Sequence, residues 1–224
     1  MKYYKLLLTG ITVFIISGTI IVKAAEPEPK LKVKVNITKD IGAITVKHQG
    51  KPVTIQRNQN TQNKIIDDYA LTSRECPPFC VQPIQLLPGV NTIGEVEMLG
   101  FLKRLASGDK NLLIIDSRTP DWVAKGTIPS AINIPWTQLY RKASTYEPIV
   151  VESILTDRFG ATLEDNIWDF SKAKELVLFC NGAWCSQSPT NIIALVSMGY
   201  PAHKIHWYRG GMQAWNSLGL TTVQ

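Results

Sequence analysis

The pattern of apolar and polar positions changes near residue 90. Before it, Leu31-Lys32-Val33-Lys34-Val35-Asn36-Ile37, Ala43-Ile44-Thr45-Val46-Lys47-His48 and Val53-Thr54-Ile55-Gln56 alternate with a period of two. Alternation sends successive side chains to opposite faces, so these segments read as half-buried strands, with Gln49-Gly50-Lys51-Pro52 as a turn. After it, Thr92 to Leu105 follows a helical period and predicts an amphipathic helix entered from a Thr92 cap. Short apolar runs follow at Asn111 to Asp116, Ile132 to Ile134, Leu176 to Phe179 and Ile205 to Tyr208. They are too short for helices and read as buried strands. Between them lie helix and loop at 137–170 and helices at Pro189 to Met198 and around Met212 to Leu218. Strands alternating with helices predict an α/β domain over residues 91–224, a parallel sheet with helices on both faces. A small β-rich module over residues 25–90, ending near the turn signal Pro88-Gly89, precedes it.

The first 24 residues fit neither pattern. Lys2 and Lys5 precede an apolar stretch from Leu6 to Val22, which closes on Val22-Lys23-Ala24. This is the outline of a secretory signal peptide over residues 1–24, with Glu26-Pro27-Glu28-Pro29-Lys30 as a linker. The stretch is long for such a peptide, so an uncleaved membrane anchor is the second reading. Either places the remainder outside the cytoplasm, periplasmic or secreted, and membrane contact is expected only through an uncleaved leader. The net charge is +6, and setting aside the three leader lysines leaves 21 basic against 18 acidic residues. That balance is too mild to suggest nucleic acid, and no basic stripe is interleaved with aromatics.

Four cysteines remain to be explained. In Cys76-Pro77-Pro78-Phe79-Cys80 two prolines fix most of the backbone, and an oxidising compartment favours a local Cys76–Cys80 disulfide. A redox pair that exchanges with Cys180 is the alternative. A metal site is not expected, because Cys-x3-Cys has no second ligand pair and the histidines are His48, His203 and His206. No cofactor is expected either.

Cys180 ends the apolar run Leu176 to Phe179. Asn181, Gly182, Ala183, Trp184, Cys185, Ser186 and Gln187 then lead to a helix with Ser188 as cap and Pro189 as first residue. A thiol in that position faces unpaired backbone N–H groups and the positive end of a helix dipole, both of which favour the thiolate. A nucleophile and a small buried core residue both fit these residues alone.

Three motifs stand in order along the chain: Leu113-Ile114-Ile115-Asp116-Ser117-Arg118 with Trp122 and Gly126-Thr127-Ile128-Pro129-Ser130-Ala131-Ile132-Asn133-Ile134-Pro135; the strand–Cys180–loop–helix; and Arg209-Gly210-Gly211-Met212-Gln213-Ala214-Trp215 with Leu218-Gly219-Leu220. Together they resemble the rhodanese family. The resemblance implies a rhodanese-like sheet and a sulfurtransferase in which Cys180 carries a sulfane sulfur as a persulfide. A small sulfur donor and a thiol acceptor are the implied partners, with a redox protein among the candidates. The amides of residues 181–187 would hold the anion. Asp116 and Arg118 match the family's Asp-x-Arg and are expected to pair structurally or hold the loop. Arg209 either reaches the Cys180 pocket or stays at the surface.

The chain departs from the family in several places. Counted to Ser188, the loop is longer than is common, and residues 181–202 contain no Lys, Arg or His. The longer loop points toward the family's phosphatase relatives, but a loop without arginine lacks their phosphate grip. Thr127 stands where the family usually has histidine. Cys185 could resolve an oxidised Cys180 as a disulfide or simply fill a slot, and Trp184 could cover the thiol or pack against the scaffold. The alternatives to sulfur transfer are a thiol–disulfide oxidoreductase using Cys180 and Cys185, and a non-catalytic binding module.

Overall fold

Burial on both faces decides which apolar run sits at the centre of the sheet. In the computed structural model, which describes residues 34–224, strand β8 (Glu175–Phe179) is central. Its Leu176 and Leu178 pack in one layer with Ile192, Leu195 and Trp207. Val177 and Phe179 pack in the other with Met98, Met212 and Trp215. A strand covered on both faces reads as an unbroken apolar run, as this one does. Around it stand β3 (Asn91–Ile93), β9 (Ile205–Tyr208), β4 (Leu112–Asp116) and β5 (Ile132–Asn133), all parallel, in the order β3-β9-β8-β4-β5.

Helices cover both faces, as the alternation of strands and helices required. One layer receives α2 (Glu95–Ala106) and α7 (Gly211–Ser217), and the other α4 (Trp136–Leu139), α5 (Pro148–Ser153) and α6 (Gln187–Ser197). The hairpin of β1 (Ala43–His48) and β2 (Lys51–Gln56) turns through Gln49 and Gly50, both with positive φ, the geometry of a two-residue hairpin turn. Its Ile44, Val46 and Ile55 share the core of α2 and α7, and the described residues form one compact unit. Two short helices flank these elements: α1 (Asp67–Ala70) before the sheet and α3 (Pro120–Val123) after β4.

Several expectations need correction. Thr92 is not a helix cap: it pairs with Trp207 in β3, and α2 starts at Glu95, where the Glu97 carboxylate accepts the Gly94 N–H. Three residues are too few to show alternation, so sheet pairing overrode the helical pattern. No strand forms over 34–37, because the Gln59 side chain takes the place of a partner strand. It accepts the N–H groups of Lys34 and Val35 and donates to the Val35 carbonyl. Residues 137–170 hold an unexpected hairpin, β6 (Thr162–Glu164) and β7 (Ile167–Asp169), turning at Asp165 and Asn166. The leader, its linker and Leu31 to Val33 lie outside the described residues. Among the described residues no helix is long and apolar enough to cross a membrane.

Candidate active site

A sheet buried on both faces can expose a reactive group only at its ends. Cys180 directly follows β8 at the carboxyl end, where open α/β sheets place their sites. The six residues Asn181 to Ser186 separate it from α6, which begins at Gln187 and not at Pro189. The loop is therefore shorter than the sequence count, because Ser188 lies inside the helix and is no cap.

Ser188 performs another task, one that sequence reasoning missed. Its hydroxyl lies 3.1 Å from Cys180 Sγ and 3.1 Å from Trp207 Nε1. An indole N–H can only donate, so the Ser188 oxygen accepts from Trp207 and turns its own hydrogen to the sulfur. The neutral Cys180 thiol donates to the Cys185 carbonyl at 3.4 Å, and the backbone N–H groups of Ser188 and Gly182 and the Cys185 thiol favour its thiolate. Burial alone would raise the Cys180 pKa. These four donors outweigh it and hold the thiol below its ordinary value. Cys185 moves the opposite way: burial, then the neighbouring Cys180, raise its thiol well above the ordinary value. The pair is therefore asymmetric, one thiol held below and the other above its ordinary value. Both are free and almost completely buried, at 2% and 4% exposure.

The loop is fastened on its inner side by α7. Met212 and Gln213 donate their N–H groups to the Cys180 and Asn181 carbonyls at 3.0 and 2.8 Å. This approach needs glycine at 211, whose φ is +54° and where a Cβ would collide with the Cys180 carbonyl oxygen. The Gln213 side chain accepts the Trp184 indole N–H at 2.6 Å. Not every expected loop amide is free. The Cys185 N–H closes a turn on the Gly182 carbonyl at 2.9 Å. The Cys185 thiol lies 3.8 Å from the Gln187 side-chain oxygen, and Ser186 is exposed.

Asp116 and Arg118 form a buried fork, with Arg118 Nε and Nη2 on the carboxylate at 2.7–3.1 Å and exposures near zero. Thr127 takes up the second face of the carboxylate, donating to Asp116 Oδ2 at 2.6 Å. Arg118 also donates to the Gly126 carbonyl and, at 3.0 Å, to the Tyr69 hydroxyl, which passes its own hydrogen to Asn181 Oδ1. Burial pushes the Tyr69 phenol up to about 12, so it keeps the proton it donates. The pair therefore holds the loop through Tyr69, a residue that the sequence pattern did not single out.

The outer side of the loop is covered by residues 69–83. Cys76 and Cys80 are joined by a disulfide. Phe79 meets the Trp184 ring edge-on at 5.6 Å, the Arg74 guanidinium lies 4.7 Å over the same ring, and Gln82 donates its N–H to the Ala183 carbonyl. Arg209 does not enter the Cys180 pocket. Its guanidinium donates to the Gln82 and Pro83 carbonyls and pins this cover. An open cavity of about 750 Å³, bordered by Arg104, Asp109, Glu175 and Lys204, lies at the opposite, amino end of the strands.

A family model for the rhodanese-like domain matches residues 100–218. Among solved structures, a human single-domain sulfurtransferase is 26% identical over 56% of this chain and 95% of its own, with a TM-score of 0.37. A 3-mercaptopyruvate sulfotransferase from Escherichia coli is 23% identical over 56% of this chain and 43% of its own, TM-score 0.37. A Rhodopseudomonas palustris protein of unknown function, described as a possible tyrosine phosphatase, is 19% identical over 60% and 85%, TM-score 0.39. None of the curated proteins matches the chain.

Proposed function

Because this chain belongs to the rhodanese-like family, we propose that it is a sulfurtransferase that carries a sulfane sulfur on Cys180. The observation that supports this most directly is the set of donors converging on one buried sulfur, with Ser188 Oγ 3.1 Å away and oriented by Trp207. In the first step the Cys180 thiolate attacks the outer sulfur of a donor. A new S–S bond forms, the bond from that sulfur to the rest of the donor breaks, and its electron pair leaves with the leaving group. In the second step an acceptor thiolate, or cyanide, attacks the outer sulfur of the persulfide, and Cys180 departs as the thiolate it began as. The Ser188 hydroxyl and the amides of Gly182 and Ser188 stabilise that thiolate in both steps. Cys185, kept protonated, serves as a further donor and not as a second nucleophile. If the leader directs export, the reaction takes place outside the cytoplasm, where the Cys76–Cys80 disulfide would persist.

Intact-mass measurement tests the proposal. Reduced protein is mixed with thiosulfate or a small persulfide and then treated with cyanide. A gain of one sulfur atom that cyanide removes, present in wild type and absent from Cys180→Ser, is the expected result. No gain with any donor would overturn it, and a loss of two hydrogens that depends on Cys185 would point to a disulfide-forming protein instead.

A further inference from the structure

The loop around Cys180 contains no basic side chain, yet a sulfane donor such as a thiosulfonate is an anion. Three guanidinium groups come near the loop, and two of them are engaged elsewhere. Arg118 is occupied by Asp116, Gly126 and Tyr69, and Arg209 by the Gln82 and Pro83 carbonyls. Arg74 differs. It makes one hydrogen bond, from Nη2 to the Asp68 carbonyl, and its buried Nε has no partner among the described residues. A guanidinium has five N–H donors, so most of its capacity is unused. Its charge lies over two rings, Trp184 at 4.7 Å and Phe79 at 5.4 Å. Stacking of this kind engages the faces of the planar group and leaves its edges for an oxyanion.

We propose that Arg74, carried by the segment that precedes the sheet, binds the anionic end of the sulfur donor and selects for donors with an oxyanion group. This rests on the sulfur-transfer reading of Cys180. What supports this is that Trp184, under the Arg74 guanidinium, belongs to the same loop as Cys180, so a donor whose outer sulfur bonds to Cys180 would lay its remainder along that loop. A cation over Trp184 from outside the loop meets it there. The specificity residue would then come from residues 69–83, while the nucleophile comes from the sheet.

The test separates binding from chemistry. Thiosulfate is titrated calorimetrically into Cys180→Ser protein, which cannot react, with and without Arg74→Gln. A loss of affinity of about tenfold or more is expected, because a charge-assisted hydrogen bond is removed. Arg74→Lys, which keeps the charge but not the fork, should recover part of the loss. Equal affinity with and without Arg74→Gln, or no binding to either protein, would overturn the proposal. In Cys180-intact protein, loading is compared between thiosulfate and a small alkyl persulfide, which carries no oxyanion group. Arg74→Gln should slow the first and spare the second, and slowing of both alike would mean that Arg74 only supports the loop. If no donor loads Cys180 in wild type, the sulfur-transfer reading fails, and the calorimetric result still decides whether Arg74 binds the anion.

Discussion

The two sides of the Cys180 loop are built by opposite means. The inner side is regular: β8 delivers the sulfur, α6 brings Ser188 and its amide, and α7 ties down the carbonyls of Cys180 and Asn181. The outer side, residues 69–83, has almost no regular structure and is held by ring contacts, scattered carbonyl bonds and a disulfide. Backbone ladders and helix ends place atoms to within a few tenths of an ångström, as nucleophile activation requires. Side-chain contacts on an irregular segment can be exchanged without disturbing the sheet, which suits a surface that selects what reaches the sulfur.

The comparison breaks most completely where both sides meet, at Asp116 and Arg118. Asp116→Ala leaves a guanidinium at zero exposure without its carboxylate. A loss of about 3–5 kcal/mol in urea unfolding is expected, and a loss below about 1 kcal/mol, the range of an exposed pair, would show that the pair does not join the two sides. Gly211→Ala tests the inner side alone. The new Cβ would overlap the Cys180 carbonyl and force a positive φ on alanine, a strain of about 1–3 kcal/mol. Loading of Cys180 should fall sharply while the outer cover stays in place. Unchanged loading kinetics would mean that α7 does not set the loop.

Ser188→Ala sharpens the electrostatic half of the comparison. Removing a hydrogen bond to an anion costs about 1.5–3 kcal/mol, which is roughly one to two pKa units. The sign follows from the thiolate: the folded Cys180 pKa lies below the ordinary thiol value, so loss of a donor moves it up. Alkylation of Cys180 should then reach its half-maximal rate at higher pH, with less thiolate at neutrality. Cys185, whose pKa lies well above the ordinary value, should stay slow in both proteins across that range. A pH–rate profile unchanged by Ser188→Ala would remove Ser188 from the activating set.

How much of this was legible beforehand differs between the two sides. The apolar runs at Leu112–Asp116, Glu175–Phe179 and Ile205–Tyr208 announced their strands because burial on both faces demands such runs. The place of Cys180 at the end of the central strand was legible from that run, whereas its reading as the nucleophile came from the resemblance to the rhodanese family. Ser188 was legible as a cap-type residue but not as a donor to sulfur, because its role depends on Trp207 from a strand nineteen residues away. Tyr69 and Arg74 gave no local signal. Their partners Asn181 and Trp184 are more than a hundred residues distant, and the segment carrying them has no period that would fix its face. Thr92 misled because a three-residue edge strand looks like the start of the helix behind it.

Tyr69→Phe is the mildest of these changes and separates holding the loop from activating the sulfur. The substitution keeps the ring, which packs 5.9 Å from Trp122, and removes only the hydroxyl between Arg118 Nη1 and Asn181 Oδ1. Those two groups are 3.5 Å apart and can close part of the gap themselves, so a loss of about 1 kcal/mol is expected. None of the four donors to Cys180 comes from Tyr69. The alkylation pH profile of Cys180 should therefore stay where it is while thermal unfolding shifts slightly downward. A profile that moves as far as that of Ser188→Ala would mean that residues 69–83 set the charge on the sulfur as well as cover it, and the division between the two sides would not hold.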